Sequence, residues 1–486
     1  MLIIFAILIP IILGIALPFL KPEKKLRDVY VILVAIFTSL IIFWTIIKNI
    51  NVDMTFVRLN DVLSIGFRID GLSKIFLMIV GLLWPLAVIY ATEYMEHEKN
   101  QNEFFRYYLI AYGITIGVAT SRNLISMYLF YELLTFLTLP LIMHKGNKES
   151  LYAGKIYLIF SLLGASIALM GIIIFIANVG NIEFTYGGLV TGITNLNNNV
   201  LYLAYILCFI GFGVKAAILP FTIWLPLCGV APTPVSALLH AVAVVKAGVF
   251  AVMRVTYYIF GASFLRGTYA STITSIIAIV TILFGSTMAV RDKHIKRRLA
   301  YSTASNLSYI LFVVTLMTDE TFAAGLTHMM FHAIIKINLF FAAGSIMIYA
   351  KRDNIDDMKG LAKKMPITSF AFLIASLALI GIPLTCGFIS KFALITSAIS
   401  AGTFEAYIGI VAIVISAILT LIYLFNIVLN LYVPNAGFDY NSISDVREAG
   451  MAIKVVLIII TILIIYFGIN SIGMIDFIDS VAKGVI

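Results

Sequence analysis

Charge is scarce in this sequence. Asp, Glu, Lys and Arg make up 12% of its 486 residues, about half the share in a soluble domain, which is too little for a water-facing surface. Cysteine is scarcer still. Cys208, Cys228 and Cys386 stand singly in apolar stretches, with neither C-x-x-C spacing nor an even set, which excludes a disulfide framework or thiolate cage and leaves them as small hydrophobes. Long polar segments are missing too, so no stretch is long enough to fold as a soluble catalytic domain. Gly211, Gly213 and Ala216 fit G-x-G-x-x-A, yet no acidic residue follows about 20 positions on, and nucleotide binding is set aside. We therefore expect no cofactor and no redox or hydrolytic site in this chain. The basic excess, 33 − 24 = +9, lies in short clusters between apolar runs, where the positive-inside rule places it, and a nucleic-acid partner is excluded.

What is abundant is apolar: 62% of residues are hydrophobic and the mean hydropathy is +1.06. At the roughly 20 residues a spanning helix needs, the chain offers about fourteen spans. They are 2–20, 29–49, 72–91, 106–121, 123–143, 156–178, 201–222, 231–256, 270–290, 299–317, 322–349, 367–399 (long and interrupted), 405–432 and 452–478. This predicts an all-α membrane protein, one polytopic unit over 1–486. The basic cluster Lys21, Lys24, Lys25 and Arg27 follows the first span instead of preceding it, so that span anchors and is not a cleaved signal. Alternation then puts 144–150, 291–298 and 351–364 inside. The loop 178–199, which has no Lys or Arg, falls outside, so both termini face outward from the cell membrane.

Two spans are interrupted. Segment 209–226 sets glycines and Pro220 around Lys215, and segment 379–394 sets Gly381, Pro383 and Gly387 just before Lys391. Such breaks free backbone groups that lipid cannot satisfy, so they are expected where protein or a watered cavity takes over the hydrogen bonding. They fall in the seventh and twelfth spans, five apart. A five-helix repeat, 106–256 and then 270–432, relates them, and an odd-numbered repeat inserts upside down the second time.

Isolated ionisable residues sit deep in other spans. Glu132 lies about eight positions into its span, and Lys246 stands six residues beyond His240. Charges at such depth cost several kcal/mol unless paired or hydrated, and they mark ion or proton pathways. Lys155, near the start of its span, fits a lysine that snorkels to the interface. The run HMMFHAIIKINLFF sets His328, His332 and Lys336 four residues apart. The histidine spacing is that of a zinc-protease helix, but Met329 stands where the catalytic glutamate belongs, and no other span offers ligands to complete a metal site. At 1.5 Å per residue the three groups are about 6 Å apart, a spacing that one water bridges, which suits a proton relay. For His328, nearest the outer end, hydrogen bonding between helices is the competing role.

Together these residues resemble a family. WLPLCGVAPTPVSALLHAVAVVKAG (224–248), YELL (131–134), HAIIKINLFF (332–341), KGLAKKMP (359–366) and GIPLTCGFISK (381–391) are similar to the blocks of the antiporter-like subunits shared by respiratory complex I, Mrp-type sodium/proton antiporters and energy-converting hydrogenases. The resemblance implies fourteen helices with two inverted five-helix repeats and two broken helices. It assigns proton or ion transfer to Glu132, Lys215, Lys246 and Lys391, and puts the His/His/Lys series on the helix linking two half-channels. Tyr131 departs from the family's usual tryptophan, and Cys228 and Gly229 lie in a variable loop. A chain that stops soon after its last span, and a lysine at 391, favour the Mrp or hydrogenase branch over complex I.

The function expected is proton, or sodium/proton, translocation within a multi-subunit membrane complex, carried by Glu132, Lys215, Lys246, His332, Lys336 and Lys391, with His240, His328 and Lys155 secondary and no metal. The expected partners are other membrane subunits, the lipid bilayer, protons and Na+. A complex I pumping subunit is the nearest alternative. From another class comes a scaffold that anchors a soluble redox or carbon-handling partner.

Overall fold

The computed structural model describes residues 2–58, 60, 63–190, 197–434 and 438–485; residues 191–196 of the expected outer loop lie outside them. The chain begins with α1 (Leu2–Leu20), α2 (Lys24–Ile47), a hairpin of β1 (Asp53–Arg58) and β2 (Ser64–Arg68), and α3 (Gly71–Tyr94). Then come α4 (Gln101–Thr120), α5 (Leu124–Ile142), α6 (Lys148–Val179), α7 (Asn198–Gly213), the short α8 (Trp224–Leu227), α9 (Thr233–Ala241), α10 (Val244–Arg254) and the short α11 (Ala262–Leu265). The second half holds α12 (Tyr269–Arg291), α13 (Ile295–Thr315), α14 (Asp319–Tyr349), α15 (Pro366–Ile380), α16 (Cys386–Ala401), α17 (Phe404–Tyr432), α18 (Met451–Ile469) and α19 (Ile472–Ala482). Polar caps punctuate this apolar text. The side chains of Asp70, Asn123, Asn147, Thr268, Thr318 and Thr403 each accept a first-turn backbone N–H of the helix that follows, satisfying donors that would otherwise be orphaned.

Among the described residues, ten helices are long and apolar enough to cross a membrane. The difference from about fourteen has two sources. The seventh and twelfth spans are divided into shorter apolar pieces, α7 and the pair α15 and α16, while α4 and α13 carry more polar residues. The hairpin is an addition to the all-helical expectation, with β1 antiparallel to β2 and a bulge between Thr55 and Val57. Ion pairs tie it to the start of α5 and the loop after α6: Arg122 reaches Asp53 at 3.2 Å and Glu183 at 3.1 Å.

Burial is inverted relative to a soluble protein. Phe5, Phe19, Leu33, Phe404 and Val411 lie exposed on an outer belt, whereas every residue of α9 and α10 and the whole of Thr321–Ile346 in α14 are buried. The innermost helices are the ones that carry His240, Lys246, His328, His332 and Lys336.

The two expected breaks are present. After α7 the chain turns through Ala217 at φ +59°, and the free N–H of Leu219 donates to Thr281 Oγ1 at 3.0 Å. Pro220 follows in a cis peptide. Between α15 and α16, Gly381 (φ +98°) and Leu384 (φ +68°) reverse the backbone around Pro383. The packing there is so close that a Cβ on Gly387 would lie 1.7 Å from the Ala378 carbonyl oxygen. A third interruption has no Pro or Gly to announce it. At Val242 and Ala243 the ladder slips, both N–H groups donating to Leu238 O at 3.0 and 2.8 Å, and the eighth span divides between His240 and Lys246.

Candidate functional site

Lys215 sits in the unwound turn after α7, 1% exposed. Its ammonium donates to the Tyr131 carbonyl at 2.5 Å, lies 3.3 Å from the Tyr131 ring centroid and stands 3.8 Å from Glu132 Oε1. One turn of α5 thus meets the cation three ways: carbonyl, π face and carboxylate. The Tyr131 hydroxyl donates to Phe212 O at 3.1 Å, fastening α5 to the last turn of α7. Glu132 is 15% exposed and, among the described residues, nothing donates a hydrogen bond to its Oε1. The two charges are in electrostatic range but not in tight contact, an arrangement that a small helix movement alters.

Lys246 and His332 form the next contact. Lys246 Nζ and His332 Nδ1 lie 3.0 Å apart, both residues wholly buried. That hydrogen bond needs one acceptor, so the pair holds a single proton between the two nitrogens; fully protonated, both atoms would be donors. Four residues back along α14, the His328 ring lies 5.7 Å from that of His332, centroid to centroid, and its Nδ1 shares a 3.0 Å hydrogen bond with Ser390 Oγ. The Nε2 atoms of both histidines are buried and have no hydrogen-bond partner among the described residues. Ser390 immediately precedes Lys391, whose ammonium donates to Ile380 O, 3.1 Å away in the second break. Gly381 and Lys391 are themselves in contact: a Cβ on the glycine would lie 3.1 Å from Lys391 Cδ.

The side chains therefore take a different order from the one expected. His328 stands in line between His332 and Lys391, joined to Ser390. Lys336 turns away and donates to Leu299 O at 3.0 Å and Ser302 Oγ at 2.8 Å on α13. His240 stacks on Phe340 at 4.6 Å, and neither of its ring nitrogens has a hydrogen-bond partner among the described residues. Lys155 is exposed on α6, apart from the buried series. Pro220, Gly381 and Pro383 mark the two breaks. Sequence reasoning did not assign Tyr131, Ser390 or Ser302 to the site. For Ser302 the available signal was the run of polar residues Ser302, Thr303, Ser305, Asn306 and Ser308 inside the expected span 299–317; Tyr131 and Ser390 had only their places next to Glu132 and Lys391.

Comparison with known proteins agrees with this architecture. Residues 121–420 match the family model described as NADH:quinone oxidoreductase/Mrp antiporter, TM, and residues 56–105 match that of NADH-ubiquinone oxidoreductase (complex I), chain 5 N-terminus. The chain is 33% identical over 410 residues to the chloroplastic NAD(P)H-quinone oxidoreductase subunit 5 of Carpenteria californica, covering 79% of this chain and 54% of that one. It is 32% identical over 490 residues to antiporter subunit mnhA2 of Staphylococcus epidermidis (94% and 60% covered) and 30% identical over 374 residues to NADH-quinone oxidoreductase subunit N of Desulforudis audaxviator (76% and 73%). It thus spans about half the length of several curated relatives. Two solved structures share the fold at a TM-score of 0.87: a chain of the archaeal membrane-bound sulfane sulfur reductase, 22% identical, with 99% of this chain and 97% of that one covered, and a chain of the Mrp complex from Dietzia sp. DQ12-45-1b, 20% identical, with 99% and 96% covered. Both neighbours come from membrane complexes.

Proposed function

The chain belongs to the NADH:quinone oxidoreductase/Mrp antiporter transmembrane family, and on that footing we propose that it is a proton-translocating, or sodium/proton-exchanging, subunit of a multi-subunit complex in the cell membrane. Both termini face outward, and residues 106–256 and 270–432 act as two inverted halves. The observation that carries the reading is the set of ionisable groups Glu132, Lys215, Lys246, His332, His328 and Lys391, all but Glu132 buried, which stand at the two broken helices and on the most buried helices. Groups of this kind are kept in an apolar interior for ion transfer.

The Glu132–Lys215 pair is the gate. A neighbouring subunit that shifts α5 or α7 separates the two charges, the protonated lysine loses its counter-charge, and the proton leaves it for the Lys246–His332 pair. From there it passes by His328 and Ser390 to Lys391 at the second break. Each hop exchanges one proton between nitrogen or oxygen atoms and leaves no net chemical change.

The test uses the purified complex in proteoliposomes with an internal pH dye, with and without Na+. Lys215→Ala and Lys391→Ala each impair ion movement in an assembled complex, and the double variant loses less than the sum because one wire joins them. Intact transport in both variants favours the scaffold role; additive losses mean two independent channels.

A further inference from the structure

At the end of the bundle that the orientation above places inside, a cavity of about 430 Å³ lies among the last residues of α14, His97 just past α3 and the segment that leads into α18. That volume is within the range of about 300–1,000 Å³ common to small-molecule sites. Its walls include His97, Tyr349, Lys351, Asp445 and Arg447. Tyr349 is held in place: its hydroxyl donates to Glu93 Oε1 at 2.6 Å, and the same carboxylate accepts the backbone N–H groups of Gly450, Ala452 and Ile453 at 2.7, 2.9 and 3.2 Å. The His97 ring meets the Tyr349 ring edge-on at 5.8 Å, and the Arg447 guanidinium lies 5.9 Å from its centroid.

The charges around this cavity do not balance. Glu93 is engaged as described, and Glu96 pairs with Lys24 at 2.7 Å. Lys351 and Arg447, by contrast, have neither an ion pair nor a side-chain hydrogen bond among the described residues. Lys351 also follows the C-cap of α14 with φ +53°, the left-handed region in which a helix end normally takes glycine. A lysine there keeps its side chain at a conformational cost. Four residues beyond Arg447, α18 begins with Met451, which with Val455, Ile458 and Ile462 forms an exposed apolar stripe at helical spacing.

We propose that this cavity binds the phosphoglycerol headgroup of an anionic phospholipid. Lys351 and Arg447 take the phosphate, the guanidinium by paired N–H donors and the ammonium as a point charge. Asp445, which has no ion pair among the described residues, accepts from the glycerol hydroxyls, and the α18 stripe receives an acyl chain. Basic pockets between spanning helices attract anionic headgroups in this way on the inner side of a membrane. A free phosphate ion would use the two cations and leave the apolar stripe bare. The proposal concerns binding and not ion movement, so it rests on the orientation above and not on the transport route.

The test titrates the purified complex in detergent with phosphatidylglycerol against phosphatidylcholine and follows its melting midpoint. Phosphatidylglycerol raises the wild-type midpoint and phosphatidylcholine does not. Arg447→Gln and Lys351→Gly each raise the half-saturating phosphatidylglycerol fraction about fivefold, the loss expected for one basic group at an anionic surface. Lys351→Gly also controls for misfolding: glycine fits φ +53° without strain, so its midpoint in phosphatidylcholine is no lower than that of the wild type. Lys25→Gln, which removes an exposed charge at the same end but outside the cavity, leaves the titration unchanged. The site is overturned if the wild type gains nothing from phosphatidylglycerol, if both cavity variants titrate like the wild type, or if Lys25→Gln shifts the titration as far as they do. Equal titration of the cavity variants is the outcome expected when an acidic segment of a neighbouring subunit fills the cavity instead. Inorganic phosphate alone giving the same rise would replace the lipid with a soluble ligand and overturn the proposal too.

Discussion

Replacing Glu132 by Gln removes one negative charge and almost no volume, so it isolates the electrostatic part of the Lys215 contact. The carboxylate oxygen is 3.8 Å from the ammonium and the side chain is 15% exposed, so an effective dielectric of about 20 suits the pair, and the attraction is about 4 kcal/mol. At about 1.4 kcal/mol per factor of ten, an attraction of that size is worth roughly three orders of magnitude to the gate. The Tyr131 carbonyl and ring remain on the lysine and hold its position. The expected result is therefore an assembled complex of near-native thermal stability in which pH-dye-detected pumping falls below about one hundredth of the wild-type rate. Glu132→Asp, which keeps the charge on a shorter arm, recovers part of it. A Glu132→Gln complex that pumps within about twofold of wild type refutes the reasoning, because a gate worth several kcal/mol cannot be removed without effect.

Two further outcomes are expected. His332→Ala slows transport without loss of assembly, and elemental analysis of the wild-type complex finds no stoichiometric zinc assignable to this chain; a bound ion lost on substitution, with chelation reproducing the defect, would move the histidines from relay to metal site. Gly387→Ala places a methyl 1.7 Å from the Ala378 carbonyl, which forces α15 and α16 apart, and the variant is expected to lose about 2 kcal/mol or more of stability, read as a lower melting midpoint in detergent. An unchanged midpoint would mean that the second break tolerates relaxation the packing does not suggest.

The sequence by itself determined the solvent, the breaks and the cast of ionisable residues. Scarce charge and long apolar runs leave only lipid as the environment. Pro220, Pro383 and the surrounding glycines mark the two breaks because proline has no N–H to give the ladder and glycine tolerates reversed backbone, the clustering of both being the signal, since Pro10, Pro18, Pro85 and Pro140 stand singly inside continuous helices. The lysines and histidines stood out because each is costly in an apolar run. Yet spacing along a helix sets depth, and rotation about the axis sets the neighbour. The four-residue steps of His328, His332 and Lys336 suggested one continuous line, but the slow drift of that face carried Lys336 toward Ser302 on α13 and His328 toward Ser390 on α16. The kink at Val242 and Ala243 left no compositional trace either, since both residues are ordinary helix members and the slipped carbonyl at Leu238 is a product of packing. Only the assembled helices decided that Lys246 meets His332, because that contact joins residues 86 apart, and no local property of either segment records the angle at which α10 packs on α14.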